Sequence, residues 1–175
     1  ISPNDAKKAE ILLSSVDNAY AESLLERIEA LGLNVIAQEP EPISMVRALA
    51  PVGVQDARMI IDLGETSTDL VVMYQDSPRL VRSIPGGLAS FVKVVESSLK
   101  VREDQARQFI LKFGLAQDKL EGKVYNALSS TLENFALELT KSVRFFQNRY
   151  AGVQVGGIVL SGFSGIIPFI AEYIE

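Results

Sequence analysis

The chain has 175 residues, of which 47% are hydrophobic and 22% charged, a balance typical of globular domains rather than of disordered chains. The formal net charge is −5, and no long basic run occurs, which argues against broad nucleic-acid binding. The sequence contains neither cysteine nor histidine, which excludes disulfides, zinc–thiolate sites and Ser-His-Asp catalysis. Any catalysis would depend on carboxylates, lysine, hydroxyl groups or a bound cation.

The first part of the sequence predicts short strands that alternate with helices. Residues 10–16 and 33–38 are predicted strands, and Asp17 is a suitable N-cap for the helix between them, which Gly32 would end. The predicted buried face of that helix consists of Ala21, Leu24, Leu25, Ile28 and Leu31. Pro42 suits the first turn of a second helix.

The middle and end of the chain predict a covered sheet. Residues 59–62, 68–75 and 80–84 are predicted strands, and they are apolar on both faces, so helices should cover both sides. A helix follows Gly87, and the more charged stretch 100–123, with a helix ending at Gly114, is interpreted as a small insertion. A long helix should bury an apolar stripe of Val124, Leu128, Leu132, Phe135, Leu139, Val143 and Phe146. A strand at 156–160 and a helix at 166–173 complete an α/β layered fold.

Residues 151–171 form an uncharged stretch that is long enough to cross a bilayer. Glycines and a proline interrupt it, so we interpret it as a strand, a glycine-rich turn and the start of a helix in a soluble core. No membrane span is therefore predicted.

The most informative motif follows the first strand of the predicted sheet, in DLGETSTD from Asp62 to Asp69. A tight turn at Gly64–Ser67 would present consecutive backbone N–H groups, to which hydroxyl groups add further donors for phosphate oxygens. Asp62 could hold a cation that bridges those phosphates. The alternative is a hairpin whose glycine, threonine and serine residues serve turn geometry alone.

A second candidate is LSGFSGIIP, from Leu160 to Pro168. Glycines between a strand and a helix allow a ligand to approach the backbone closely, and the helix N-terminus adds positive potential. The alternative is a tight strand-to-helix turn that Ser164 caps.

Two further sites are weaker when taken alone. Glu138 and Lys141 lie one helical turn apart, which is also the spacing of an ordinary exposed ion pair. Glu41 begins a predicted helix, where the helix dipole favours a carboxylate for structural reasons.

The order of these motifs resembles the actin-like ATPase group, which contains actin, the heat-shock chaperone ATPase domain and FtsA. Its second phosphate loop reads D-x-G followed by small residues and threonine, as in the stretch from Asp62 to Leu70. Its interdomain helix often opens with E-P, seen here as Glu41-Pro42, and its adenosine motif resembles Gly162 to Pro168. Within the group, residues 21–49, 61–87 and 138–168 are similar to the PilM family of type IV pilus assembly.

The resemblance implies an actin-like, ribonuclease-H-like fold. Residues 1–54 would be the end of the first half with the interdomain helix, and residues 55–175 the second half, with a small insertion subdomain at about 100–123. It implies ATP and Mg²⁺ as cofactors, with Asp62 as the cation ligand and Glu41 orienting a water. The remaining implied cofactor contacts are Gly64, Thr66, Ser67, Thr68, Gly86, Gly87, Glu138, Lys141, Gly162, Ser164 and Gly165.

Three departures from the family pattern lead us to expect weak nucleotide binding and weak or absent hydrolysis. Glu65 and Thr66 stand where the family often has glycines, and a carboxylate opposes phosphate binding unless it faces away or meets a cation. Phe163 replaces the second glycine of the adenosine motif. The first phosphate loop of the family is not found in this sequence.

The resemblance implies a cytoplasmic scaffold, peripheral to the inner membrane. It would recruit the cytoplasmic tail of a bitopic, PilN-like pilus-assembly protein and communicate with the pilus motor ATPases, with no nucleic-acid partner. One alternative is an FtsA-like division filament protein, which needs a C-terminal amphipathic helix that this sequence does not contain. Another is a sugar-kinase-like enzyme, which needs an aspartate base and a sugar site outside this sequence.

Overall fold

The computed structural model describes residue 7, residues 9–50, residues 53 and 54, and residues 56–175. Its elements are α1 (Asn18–Glu29), α2 (Glu41–Leu49), β1 (Ala57–Leu63), β2 (Ser67–Tyr74), β3 (Ser77–Pro85), α3 (Leu88–Leu99), α4 (Glu103–Phe113), α5 (Lys123–Arg149), β4 (Val155–Gly162) and α6 (Ile170–Ile174). Single turns of 3₁₀ helix lie at Leu120–Gly122 and Phe163–Gly165. The predicted boundary between two halves at residue 54 falls partly outside the described residues.

The four strands form one mixed sheet in the order β3-β2-β1-β4. β2 is antiparallel to both of its neighbours, whereas β1 and β4 are parallel. Gln75 and Asp76 both have positive φ, at 53° and 55°, the conformation that suits a two-residue hairpin. Because β1 and β4 run in the same direction, their carboxyl ends lie at the same edge of the sheet.

Helices cover both faces of this sheet, as the two-sided apolar strands predicted. On one face α2 packs Met45 and Val46 against Ile60, Val71 and Met73. On the other face α5 packs Phe135, Leu139 and Phe146 against alternate strand residues. These alternate residues are Ala57, Met59, Ile61, Leu70, Val72 and Ile84.

The predicted stripe of α5 is confirmed, except that Val143 is only half-buried and Ser142 is buried beside it. A second group of core residues joins α3, α4, α5 and α6. Ala106 and Ile110 of α4 are fully buried in this group. Residues 103–113 therefore share the main core rather than forming one of their own, and their assignment as an insertion stays a prediction.

The two strands predicted in the N-terminal region are wrong. Residues 10–16 and 33–38 have no regular secondary structure, and Ile11, Leu13 and Ile36 are 81%, 86% and 91% exposed. A strand needs a neighbour to satisfy its backbone groups, and within the described residues the sheet offers these segments none. Their apolar composition therefore did not determine their structure.

The first helix is correct in position but wrong in its packing. Asp17 is its N-cap, since the carboxylate accepts a hydrogen bond of 3.1 Å from the N–H of Tyr20. The predicted apolar face is not buried: no residue of α1 is buried, and Leu24 and Leu31 are largely exposed.

Glu10 attaches the N-terminal segment to the sheet region. Its carboxylate accepts hydrogen bonds from Arg79 Nη1 at 3.0 Å, Arg149 Nε at 2.9 Å and the Tyr150 hydroxyl. Burial alone would raise the pKa of Glu10, but the hydrogen bonds from Tyr150 and Arg149 outweigh it and hold the pKa below its ordinary value. We call this group of four residues the Glu10 cluster.

The end of the chain follows the prediction in outline. The uncharged stretch 151–171 forms β4, a turn and the start of α6, and no helix within the described residues is long and apolar enough to span a bilayer. The predicted last helix begins at Ile170 rather than Ile166, because Phe169 has a left-handed conformation directly after Pro168.

Candidate functional site

The two predicted ligand-binding motifs lie side by side at the end of the sheet where β1 and β4 terminate. In the register of β1 and β4, Asp62 is the partner of Ser161 and Leu63 is the partner of Gly162. The turn after β1 and the glycine corner after β4 therefore leave the sheet at adjacent positions. This arrangement is what a ligand that contacts both motifs would need.

The turn between β1 and β2 is closed by its own hydrogen bonds. The N–H of Gly64 donates to the carbonyl of Ser67 at 2.9 Å, and the N–H of Gly86 donates to the carbonyl of Thr66 at 3.1 Å. The hydroxyl of Thr68 is buried and donates to the carbonyl of Gly86 at 2.8 Å. Thr68 therefore braces the turn and is not directed at solvent.

The start of α3 packs directly onto this turn. The N–H groups of Leu88 and Ala89 donate to the carbonyls of Gly64 and Glu65 at 3.0 and 2.9 Å, which satisfies helix donors that have no partner within the helix. A Cβ at Gly87 would lie 2.4 Å from the carbonyl oxygen of Gly64. Position 87 therefore requires glycine, because the backbone of the turn leaves no room for a Cβ.

Some donors of the turn remain available. Among the described residues, the N–H groups of Glu65 and Thr66 have no acceptor, and the exposed Thr66 hydroxyl has no partner. Successive unpaired backbone N–H groups at a turn are suited to binding an anion. The hairpin alternative explains the bonds of Gly64 and Thr68, and in that alternative these exposed donors would bind water.

Glu65 meets a cation, as the sequence required for anion binding at this turn. Both of its oxygens accept hydrogen bonds from Arg107 of α4, with Nη1 at 3.1 Å from Oε2. The hydrogen bond with Arg107 lowers the pKa of Glu65. The pair cancels the negative charge that would otherwise repel a phosphate from the turn.

Asp69 is a candidate residue to which the sequence analysis assigned no role. It lies directly opposite Asp62 in the antiparallel register of β1 and β2, so both side chains emerge on the same face of the sheet. Neither carboxylate makes a hydrogen bond or ion pair within the described part of the chain. Counting residues across the hairpin would have detected the pair.

A cation fits this position only with help from a ligand or water. Ser161 and Ser83 flank the two carboxylates in adjacent strands. No three acidic side chains converge anywhere in the described ranges, whereas Mg²⁺ takes about six oxygen ligands, most of them from water or phosphate. Asp62 and Asp69 therefore fit a cation that arrives with a phosphate group.

The glycine corner after β4 requires Gly162. Its φ is +61°, and an added Cβ would lie 2.6 Å from the Leu63 carbonyl oxygen and 2.8 Å from Asp62 Oδ1. Ser164 is buried, and its hydroxyl lies 2.6 Å from the carbonyl oxygen of Ser161, to which it donates. Gly162 and Gly165 are exposed and leave the backbone accessible, whereas Ser164 holds the corner together.

Glu138 and Lys141 are not brought together with the glycine corner. Glu138 pairs with Lys141 at 2.7 Å and with Arg82 of β3, and β3 and β4 are the opposite edges of the sheet. The hydrogen bond with Lys141, helped by Arg82, lowers the pKa of Glu138. The role of Glu138 and Lys141 beside the nucleotide stays a prediction. Their ion pair has a structural role.

Glu41 occupies the first turn of α2 and is exposed. Pro42 follows it within that turn, as predicted. The helix covers the face of the sheet from which Asp62 and Asp69 emerge, since both faces alternate along the strands. The predicted water-orienting role of Glu41 stays a prediction.

No protein-family model and no curated protein sequence matches the chain. Solved structures do match. The ethanolamine utilization protein EutJ from Carboxydothermus hydrogenoformans has a TM-score of 0.66 at 17% identity, over 89% of this chain and 52% of that one. The PilM-PilN type IV pilus biogenesis complex gives 0.61 at 18%, over 88% and 45%. MreB5 of Spiroplasma citri bound to AMPPNP gives 0.69 at 17%, over 91% and 57%.

The fold is therefore the actin-like ATPase fold, in partial form. The chain spans about half the length of these structural neighbours, in agreement with the expected end of a first half plus a second half. PilM is one of several neighbours of similar score, so the likeness defines the fold and not the particular family.

Proposed function

We propose that the protein is an actin-like scaffold that binds a nucleotide at the edge where β1 and β4 end. The observation that carries this proposal is the adjacency of the two motifs, with Leu63 and Gly162 paired in register. ATP with Mg²⁺ is the proposed ligand. Two structures of MreB5, which has the same fold, were solved with AMPPNP and with ADP.

The unpaired donors and the exposed backbone support a more specific proposal for the atoms that contact the ligand. The N–H groups of Glu65 and Thr66 and the Thr66 hydroxyl would bind phosphate oxygens, and Asp62 would hold the cation together with Asp69. The exposed backbone at Gly162 and Gly165 would lie along the adenosine side. Thr68 and Ser164 support the turns, because their hydroxyl groups already donate to backbone carbonyls. Gly87 supports the first turn, because the backbone of Gly64 packs against its Cα and leaves no room for a Cβ.

We further propose the role of a PilM-like scaffold in type IV pilus assembly. It would be cytoplasmic and lie at the inner membrane. It would bind the cytoplasmic tail of a PilN-like protein and communicate with the pilus motor ATPases. The PilM-PilN complex among the neighbours supports this choice. Hydrolysis would be weak or absent, since a scaffold does not require it, and Glu41 would orient a water if it occurs.

Titration of the 175-residue protein with a fluorescent ATP analogue, with and without Mg²⁺, tests the nucleotide site. We expect saturable binding whose Mg²⁺-dependent part is lost in Asp62→Asn. Asp76→Asn is the matched control, because Asp76 is exposed in the turn at the other end of the hairpin strands. No saturable signal at millimolar ligand, or an equal loss in both variants, would contradict the proposal.

The pilus role needs a separate measurement. We expect a synthetic peptide with the sequence of the cytoplasmic tail of a PilN-like protein to bind by calorimetry, while sedimentation detects no filaments and sugar-phosphorylation assays detect no product. Nucleotide-dependent filaments in place of peptide binding would favour the FtsA-like alternative. Phosphorylation of a sugar would favour the kinase alternative.

A further inference from the structure

The edge strand β3 has a groove along its outer side that the nucleotide site does not use. Within the described residues β2 is its one partner strand, so one row of its backbone N–H and C=O groups has no strand beside it. Between β3 and α5 lies a groove of about 310 Å³, lined by Leu80, Val81, Arg82, Lys141, Ser142 and Phe145.

The open part of this edge is short. Arg79 lies at an irregularity in the pairing with β2, and its guanidinium is bound to Glu10. Pro78 and Pro85 stand near the two ends of the strand, and proline cannot donate a backbone hydrogen bond. Such features limit pairing along an edge, and they leave residues 80–84 free to accept another strand.

Apolar side chains flank the open part on both faces. Val81 is 38% exposed and Phe145, on α5, is 61% exposed. Leu80 and Val81 point to opposite faces of the sheet, because neighbouring residues in a strand alternate. An extended segment lying along β3 would therefore find an apolar contact on each face.

The α5 side of the groove is also positively charged. Arg82 and Lys141 share the single carboxylate of Glu138. Arg144 is exposed one turn beyond, and no carboxylate of the described residues forms an ion pair with it. Three cations and one carboxylate thus lie along this part of α5 and the adjoining β3, although the chain as a whole carries a net charge of −5.

We propose that residues 80–84 of β3 bind a short acidic peptide as an added β-strand. Main-chain hydrogen bonds to the open edge would supply affinity, and alternate side chains would supply selectivity. Carboxylates of the peptide would meet Lys141 and Arg144, while β-branched apolar residues between them would contact Val81 on the other face. The peptide would belong to a protein partner, and its binding would not require a nucleotide.

A labelled heptapeptide of alternating glutamate and valine, titrated into the full 175-residue protein, tests the proposal by fluorescence anisotropy. We expect saturable binding, no binding when lysine replaces the glutamates, and loss of binding when alternate peptide nitrogens are methylated. Backbone amide NMR signals of residues 80–84 should shift most. Binding that survives methylation, or largest shifts elsewhere, would overturn the proposal, as would no binding at millimolar peptide.

A pair of charge reversals locates the site further. Arg144→Glu should weaken peptide binding by about fivefold, because the reversal removes one exposed ion pair and puts a repulsion in its place. Lys112→Glu is the matched control on the exposed side of α4, and it should leave the affinity within twofold of the wild type, as expected for a distant exposed charge. Both positions are exposed, so neither change should unfold the protein. Equal weakening by both variants would mean non-specific attraction and would reject the site.

Discussion

Residues 9–38 and residues 57–175 have similar hydrophobic patterns but very different packing. The helix α1 carries leucine and isoleucine at helical spacing and buries none of its residues, whereas α5 buries most of its stripe against the sheet and the neighbouring helices. An amphipathic pattern therefore predicts which face of a helix can be buried. Whether that face is buried depends on the presence of another apolar layer to pack against.

The largest expected effect comes from truncating matched leucines in the two regions. Leu132→Ala should lower the free energy of unfolding by about 2–5 kcal/mol, because Leu132 is fully buried between helices. Leu24→Ala in α1 should lower it by less than about 1 kcal/mol, because Leu24 is 41% exposed. Urea unfolding followed by circular dichroism measures both. Equal losses would mean that α1 is packed in solution.

Glycine substitutions sharpen the same contrast. Gly32 and Gly162 both have positive φ, but nothing lies within 4 Å of a Cβ at 32, whereas a Cβ at 162 would collide with the backbone of Leu63. Gly32→Ala should cost about 1 kcal/mol of stability from its conformation alone. Gly162→Ala should cost about 3 kcal/mol or more, because the two strand ends must also separate. Thermal unfolding that ranks the two equally would mean that the ends of β1 and β4 are not in close contact.

The Glu10 cluster joins the two regions, and breaking it should release the first. Glu10→Gln should weaken this attachment by about 1–3 kcal/mol, because the hydrogen bonds from the largely buried Arg79 and the half-exposed Arg149 lose their charged acceptor. Limited proteolysis of residues 9–17 should become faster. Glu22→Gln is the control, since Glu22 is exposed on α1. Equal cleavage of both variants would exclude the cluster as the attachment.

The same attachment should depend on pH. The pKa of Glu10 is lower in the folded protein than its ordinary value of 4.5, so the carboxylate form stabilises the folded state. Its contribution is complete above pH 4.5 and is lost as the pH falls through the lowered folded pKa. The difference in proteolysis between wild type and Glu10→Gln should therefore disappear in acid. A difference that stays constant as the pH falls from above 4.5 into strong acid would contradict this mechanism.

The smallest expected change in stability comes from Glu65→Gln, since the Glu65–Arg107 pair is half-exposed and such pairs contribute about 0.2–1 kcal/mol. Its effect on the proposed site should be larger than its effect on stability. Removing the carboxylate leaves Arg107 free to face a phosphate, so affinity for the ATP analogue should rise. Glu103→Gln, on the same helix as Arg107, is the control. Weaker nucleotide binding in Glu65→Gln would reverse the assigned role of the pair.

The sequence predicted most of the second region because its signals are local and mutually consistent. The two-sided apolar strands and the stripe of α5 both indicate a layered domain with helices on each face of the sheet. In the first region, residues 10–16 and 33–38 failed because strand formation depends on a partner that the local sequence does not specify.

Parts of the candidate site could not be predicted for a different reason. Glu65 contacts Arg107, and Glu138 contacts Arg82. Glu10, outside the site, contacts Arg79, Arg149 and Tyr150. The two residues of each contact are distant in sequence, so these contacts arise only from tertiary packing. Thr68 and Ser164 were predicted as ligand contacts from their place in the two motifs and from the family resemblance. Both hydroxyls instead donate to nearby carbonyls, which is a common use of buried hydroxyl groups.

The parallel pairing of β1 with β4 has a consequence for biosynthesis. Ala57 pairs with Val155, so the ribosome must synthesise all the residues between them before β1 acquires its second neighbour. Until then the hairpin of β1, β2 and β3 exists with one apolar border open, and nascent chains in that condition are prone to associate with one another. Because β4 is synthesised long after β1, we expect chaperones that bind exposed apolar strands to associate with this chain before the sheet is complete.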